Sequence, residues 1–494
     1  MTDRLDLAVL ARLRGSDVRT PAYDVTKLVP TVVHIGPGVF HRGHQAVYAD
    51  TILSTGAAAG GICAVSLRSA DVRDSLRDQD QLYSVVEREE GRHDVRIIGS
   101  IRTALVAREE PDAVLRAMAD PAVTVVTITV TEKGYCAVPA TGALDLGRAE
   151  VAHDIAAPTS PQSLPGYLVE ALARRRAAGV APFTVVSCDN LRANGAATRR
   201  VVTELAATRG GDLAEWIAGT VAFPSSMVDR MVPATTDDVR TELRERFGYA
   251  DEAAVATERF SQWVLEDTFT GGRPAWELAG VEVVADVAPF EQAKLRILNG
   301  AHSAFAYLGL LAGYAAMADA ARDPSLRAAV VAMLDSEVIP TLRAPDGLDL
   351  TAYAARTVDR FGNRALGYLT AKVAADGSQK LPVRILGTVR DRMAAGAGIE
   401  GLAAVVAAFI ACVLGPRSPV IRVDDPALDL LLPDRAPEAD AAVAVDRVVS
   451  VPQIFGELAT DRAFRDVVTR HAAALWTADP RLVLQPRDDR GWST

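Results

Sequence analysis

Three residues within one apolar stretch have the types that proton transfer needs. Lys294, Asn299 and His302 lie in Lys294-Leu-Arg-Ile-Leu-Asn-Gly-Ala-His-Ser303. At about 100° per residue of an α-helix they fall at about 0°, 140° and 80°, on one face. Ile297, Leu298, Ala301 and Phe305 gather on the neighbouring face as a buried stripe, and Leu295 alone spoils the division. A cation, an amide and an imidazole beside a buried seam suit a proton-transfer site with its own hydrogen-bond donors.

Composition adds weight to the lysine. Among 53 Lys+Arg only Lys27, Lys133, Lys294, Lys372 and Lys380 are lysine. Arginine stays protonated, whereas a buried lysine can be tuned to accept a proton. A position kept as lysine in so arginine-rich a chain is a candidate for that chemistry at 294, and a leftover of composition at 27.

The elements that position these residues follow from the whole chain. Its 494 residues exceed one ordinary core, so two or three domains are expected. Hydrophobic content of 49% and charged content of 23% are globular values. A net charge of −10 disfavours nucleic acid or an anionic membrane as partner. Cys63, Cys136, Cys188 and Cys412 are widely spaced, as in a reducing cytoplasm, and fit neither a disulfide framework nor a zinc site. The N-terminus lacks a signal-peptide pattern, and the apolar run Leu402–Gly415 is too short for a bilayer and reads as a buried helix.

Thr31–Gly36 is a β-branched run that ends in Gly36-Pro-Gly38-Val-Phe40-His41-Arg-Gly-His44, with a helical run from Gln45. Strand, glycine turn and helix open a dinucleotide-binding unit, in which glycines let the backbone approach a pyrophosphate. His41 stands where the third glycine of that fingerprint belongs. After the next strand, Asp71 is placed to accept from ribose hydroxyls, or else to cap the following helix, while Arg68 leaves room for a 2′-phosphate; NAD is favoured and NADP stays open. Leu82–Glu87 and Val95–Ser100 read as an inserted hairpin. The strands Val123–Val130 and Pro182–Ser187 bring Glu132 and Asn190 to the crevice at their C-terminal ends. Asp189 and Asn194 read as turn and cap residues, and Phe223–Pro233 as an apolar loop in which Asp229 pairs with Arg230, either as a structural ion pair or to brace the substrate site. β-rich alternation yields to helical period near residue 290. The reading is an α/β chain: residues 1–288 a Rossmann-type dinucleotide-binding domain with insertions, 289–494 a mainly α-helical substrate and catalytic domain. Asp376–Pro382 reads as a loop whose Lys380, with Lys372 before it, reaches over the cleft expected at the junction.

Taken in order, several stretches resemble the polyol-specific long-chain dehydrogenase/reductase family, which includes mannitol 2-dehydrogenases and fructuronate reductases. They are His34–Gln45, Thr129–Tyr135, Ser187–Asn190, Phe223–Arg230, Trp263–Asp267, Gly272–Trp276, Lys294–His302 and Asp376–Lys380. The resemblance covers almost the whole length. It implies a metal-independent, NAD(P)-linked oxidation of a secondary alcohol, often by a monomer. It makes Lys294 the general base, Asn190 and Asn299 donors to the substrate oxygen, His302 an orienting residue and Glu132 part of a water chain. Lys372 stands where mannitol enzymes place an arginine, so a bidentate fork is lost there. Arg192 and Ser378-Gln-Lys-Leu-Pro382 look closer to the fructuronate branch.

The expected reaction is thus mannitol-2-dehydrogenase-like. A neutral Lys294 takes the hydroxyl proton as hydride leaves the same carbon, which requires lowering a lysine pKa of about 10.4 by roughly two to three units. A Glu132 carboxylate would oppose that shift, so it helps only as a proton relay or in a later step. The alternative is reduction of a keto-uronate, its carboxylate held by Lys372, Lys380 or Arg192. A reading of another class is a non-catalytic NAD(H)-binding sensor, against which the intact lysine, asparagines and histidine argue.

Overall fold

The computed structural model describes residues 3–57, 60–139, 141–431, 436–483, 485–487 and 491–493. The chain divides into two compact units, Met1–Ala288 and Pro289–Thr494.

In the first unit, β1 (Pro30–Ile35), β2 (Gly61–Ser66), β3 (Ile101–Val106), β4 (Val125–Ile128) and β5 (Thr184–Ser187) form an all-parallel sheet in the order β3-β2-β1-β4-β5. Near-continuous apolar strands suit this sheet because both faces are covered. Val33, Ile35, Val65, Val126 and Val185 pack on one side with Val114, Leu168 and Val202. Val32, Ile62, Ala64, Val125 and Val186 face the other side with Ile52, Trp263 and Trp276. The order reverses between β1 and β4, so the loops after those strands flank the switch point where ligands bind in such sheets.

The inserted hairpin pairs Tyr83–Glu89 with Arg92–Ile98, and Val255–Thr257 adds a third strand beside the first. The segment Phe223–Pro233, expected as a loop, contains a strand. β6 (Ser226–Asp229) runs antiparallel to β7 (Gln262–Glu266), which pairs in parallel with β8 (Glu282–Val284). Burial of Met227 and Val228 explains why that segment was too apolar for a solvated loop.

The second unit is helical. Its centre is Glu400–Leu414, buried throughout from Gly401 to Leu414 and packed by Gly300–Leu311 and Arg462–Thr477. Asn363–Ala375 is broken into the turn Arg364–Leu366 and the helix Thr370–Ala374, with Gly367 at φ +64° between them. Asp376–Pro382, expected as a loop, is helical: Gly377–Leu381 follows Asp376 at φ 57° and runs into a π-turn, Pro382–Leu386. The stretch around Lys294 also departs from the α-helix assumed for it. Ala288–Ala293 is α-helical, Lys294–Asn299 is a π-turn, and Gly300–Leu311 resumes the α-helix. A third π-turn, Leu334–Val338, completes a set in which the Lys294–Asn299 turn touches both others.

Candidate active site

The loop after β1 fits a dinucleotide. Gly36 has φ +96°, and a Cβ there would lie 1.9 Å from the Thr129 carbonyl oxygen, so only glycine lets the β1 and β4 loops approach. Gly38 is exposed, heads the helical turn Val39–Gly43, and has open space where a Cβ would point. These are the conditions a pyrophosphate needs. His34 holds the loop from beneath: Nδ1 pairs with Thr127 Oγ1 at 2.7 Å and Nε2 with Thr129 Oγ1 at 2.8 Å, while Thr129 Oγ1 donates to the Gly36 carbonyl. Burial pushes His34 down to about 3, so it stays neutral. His41 lies inside, fully buried and stacked on His34 at 3.4 Å, with burial holding its pKa well below the usual range. Phe40 is half-buried and stacks on His44 at 5.0 Å.

Past β2, Arg68 is exposed and pairs loosely with Glu150 at 3.6 Å. Asp71 does not cap the helix Asp71–Arg77; it is the first helical residue, and its exposed carboxylate has no partner among the described residues. That leaves it available to a ribose.

At the crevice rim, Glu132 is exposed in the turn Glu132–Tyr135 after β4, and Asn190 is exposed just past β5. Arg192 is exposed two residues on, and Asp229 is buried at the end of β6. Arg230 does not pair with Asp229: it donates to the carbonyls of Gly43 and Glu258 and to Glu87 at 2.8 Å. Asp189 is more than a turn residue. Tyr135 Oη donates to its Oδ2 at 2.6 Å and Val130 N at 2.9 Å, while burial, reinforced by Glu132, pushes its pKa up to about 7. Sequence reasoning had one clue to it, its place past a parallel strand. Asn194 ties the end of β5 to β6, donating to the Asp189 and Ser226 carbonyls and accepting from Ser226 N; the cap position itself is Ala193.

In the helical unit, Lys294 and Asn299 are half-buried at the two ends of the π-turn. With i→i+5 bonding, a residue and the fifth after it stack on one side, so the wider turn brings these two together more closely than the α-helical wheel does. His302, one α-turn beyond Asn299, shares its face. Its ring stacks on Phe361 at 4.8 Å and meets Tyr368 edge-on. Burial, then Arg384, Lys380 and Arg360, push it down to about 3. Lys372 is exposed on Thr370–Ala374. Lys380 Nζ instead closes the end of that helix, donating to the carbonyls of Ala375 at 2.5 Å and Val373 at 3.2 Å, with Asp376 at 3.8 Å. Among the described residues, no group of three or more His, Cys, Asp or Glu could hold a metal ion.

A dinucleotide fold followed by a helical unit carrying a lysine, an amide and a neutral imidazole defines an oxidoreductase class. The chain belongs to the mannitol dehydrogenase family: residues 30–278 match the model described as the mannitol dehydrogenase Rossmann domain, and 286–476 the mannitol dehydrogenase C-terminal domain. It is 44% identical to the D-mannonate oxidoreductase of Escherichia coli, over 83% of this chain and 86% of that protein. It is 39% identical to the polyol:NADP oxidoreductase of Gluconobacter oxydans, over 81% and 83%. Its structure is similar to the mannitol 2-dehydrogenase of Pseudomonas fluorescens in ternary complex with NAD and D-mannitol, with TM-score 0.84 and 37% identity over 96% of each chain.

Proposed function

We propose that this oxidoreductase interconverts a secondary carbinol of an open-chain sugar derivative and its ketone, with NAD as redox partner and Lys294 as general base. The observation that carries the reading is the π-turn whose ends are Lys294 and Asn299. One residue takes the carbinol proton and the other donates to the oxygen as negative charge builds, a contribution of about 3 kcal/mol. His302, neutral, accepts or donates a hydrogen bond and orients the chain of hydroxyls. Bound NAD accepts the hydride from the carbinol carbon. Gly36, Gly38 and Asp71 are the residues assigned to the dinucleotide; Asn190 and Glu132 keep the roles of second donor and proton relay that the family pattern implies.

Two substrate readings follow from the relatives. Similarity to the mannitol 2-dehydrogenase supports D-mannitol and D-fructose. The higher identity to the D-mannonate oxidoreductase supports a sugar acid and its keto-uronate. A protein with four free, buried cysteines and no described helix able to cross a membrane suits a small-molecule enzyme of the cytoplasm, which we propose acts as a monomer.

The test is Lys294→Ala. Turnover is expected to fall at least a hundredfold with every substrate while NADH binding, read by fluorescence titration, is kept. A variant that retains more than a tenth of wild-type turnover removes Lys294 as the base. Binding of NADH without turnover on any polyol or uronate by the wild-type protein would restore the sensor reading.

A further inference from the structure

We propose that Arg384 is the anchor for a carboxylate on the substrate, which makes a keto-uronate and its aldonate, rather than a neutral ketose and polyol, the preferred pair. The proposal rests on the reading of Lys294, Asn299 and His302 as the reacting end. Arg384 lies in the π-turn Pro382–Leu386, which packs on the π-turn Lys294–Asn299. Its backbone comes close because Gly300 has no side chain: a Cβ there would lie 3.4 Å from the Arg384 carbonyl oxygen. Its Nη1 donates to Ser303 Oγ at 3.2 Å. Gly300, Ser303 and Tyr307 form one row along the helix, so the guanidinium lies beside the face that carries Asn299 and His302.

Its charge is unmatched. Other arginines of this unit meet carboxylates: Arg296 with Asp391 at 2.6 Å, Arg327 with Asp359 at 2.5 Å, Arg364 with Asp319 at 2.8 Å. Arg384 has Ser303 alone, and no carboxylate within ion-pair distance among the described residues. The residue is half-buried, and its Nε and Nη2 are not sealed from solvent. Of the cations weighed from the sequence, Lys372 and Arg192 are exposed and Lys380 is engaged with two carbonyls and Asp376. A guanidinium partly removed from water needs an anion, and its fork takes a carboxylate through two parallel hydrogen bonds. A hydroxyl accepts one such bond and leaves the charge standing.

The experiment compares NADH-driven reduction of D-fructuronate and D-fructose by the full chain, as wild type, Arg384→Met and Arg384→Lys. Wild type is expected to favour the uronate at least a hundredfold in kcat/KM. That ratio should fall at least thirtyfold in Arg384→Met, mainly through the KM for the uronate, with Arg384→Lys between. A wild type without preference for the acid, or an unchanged ratio in Arg384→Met, overturns the proposal. A readout on wild type alone avoids any folding defect: D-mannonate should inhibit ketone reduction at least tenfold more strongly than D-mannitol, and equal inhibition overturns it. Failure of the reacting end shows differently. Activity persisting in Lys294→Ala with the ratio collapsing in Arg384→Met would leave the anchor standing and remove the base.

Discussion

His302 shows how a residue can serve the proposed site without titrating in it. Stacked on Phe361 and surrounded by Arg384, Lys380 and Arg360, it has its pKa held near 3, so the imidazole is neutral from about pH 5 upward. A neutral ring has one donor and one acceptor, which suits a hydroxylated substrate. The pH profile of oxidative kcat should therefore show no inflection near 6.5 that belongs to this residue. Wild type and His302→Asn should share one profile shape, with the variant raised in KM. An inflection near 6.5 that disappears in the variant would show that the ring titrates.

At the scale of elements, the π-turn decides where the lysine points. A π-turn holds one more residue than the α-turn it replaces and persists where the site gains from it. The nucleotide loop gives a second case. Gly36→Ala must place a Cβ in the left-handed region and against the Thr129 carbonyl, a backbone cost of about 1–2 kcal/mol before the clash is counted. NADH affinity should weaken at least tenfold and the melting temperature should drop, both measurable in one thermal-shift titration.

For the whole molecule, one buried carboxyl ties packing to pH. Glu337, in the π-turn Leu334–Val338, accepts from Gly401 N at 2.7 Å and Leu402 N at 2.9 Å, so it closes the start of the central helix Glu400–Leu414. Burial raises its pKa to about 7, against the two amide bonds that lower it. A carboxyl raised on folding binds more protons in the native than in the unfolded state. Its stabilisation is complete below about pH 4.3 and is lost as pH rises through 7, by about 3 kcal/mol in all. Glu337→Gln does not ionise. The stability difference between variant and wild type, from urea unfolding at a series of pH values, should therefore shift in the variant's favour between pH 4.5 and 8. A difference independent of pH would show that the carboxyl does not titrate there.

Much of this protein was legible in the chain by itself. Parallel strands buried on both faces must be continuous β-branched runs, and a glycine forced to φ +96° leaves its mark as Gly36, so the dinucleotide unit and its loop could be read directly. Lysine among arginines, with an amide and an imidazole nearby, marked the stretch we propose as the reacting end. Only the tertiary structure decided the rest. Periodicity assumes one helical pitch, and the extra residue at Lys294–Asn299 changes the pitch through packing against two other π-turns. Lys380 meets the carbonyls of Val373 and Ala375 because the chain doubles back at Asp376, with φ 57°, a contact that spacing along the sequence does not show. Arg384 and Asp189 owe their chemistry to neighbours distant in sequence: one lacks a carboxylate, the other is short of water. Spacing encodes which residues share a face; which partners and how much solvent each one meets is settled when distant segments pack.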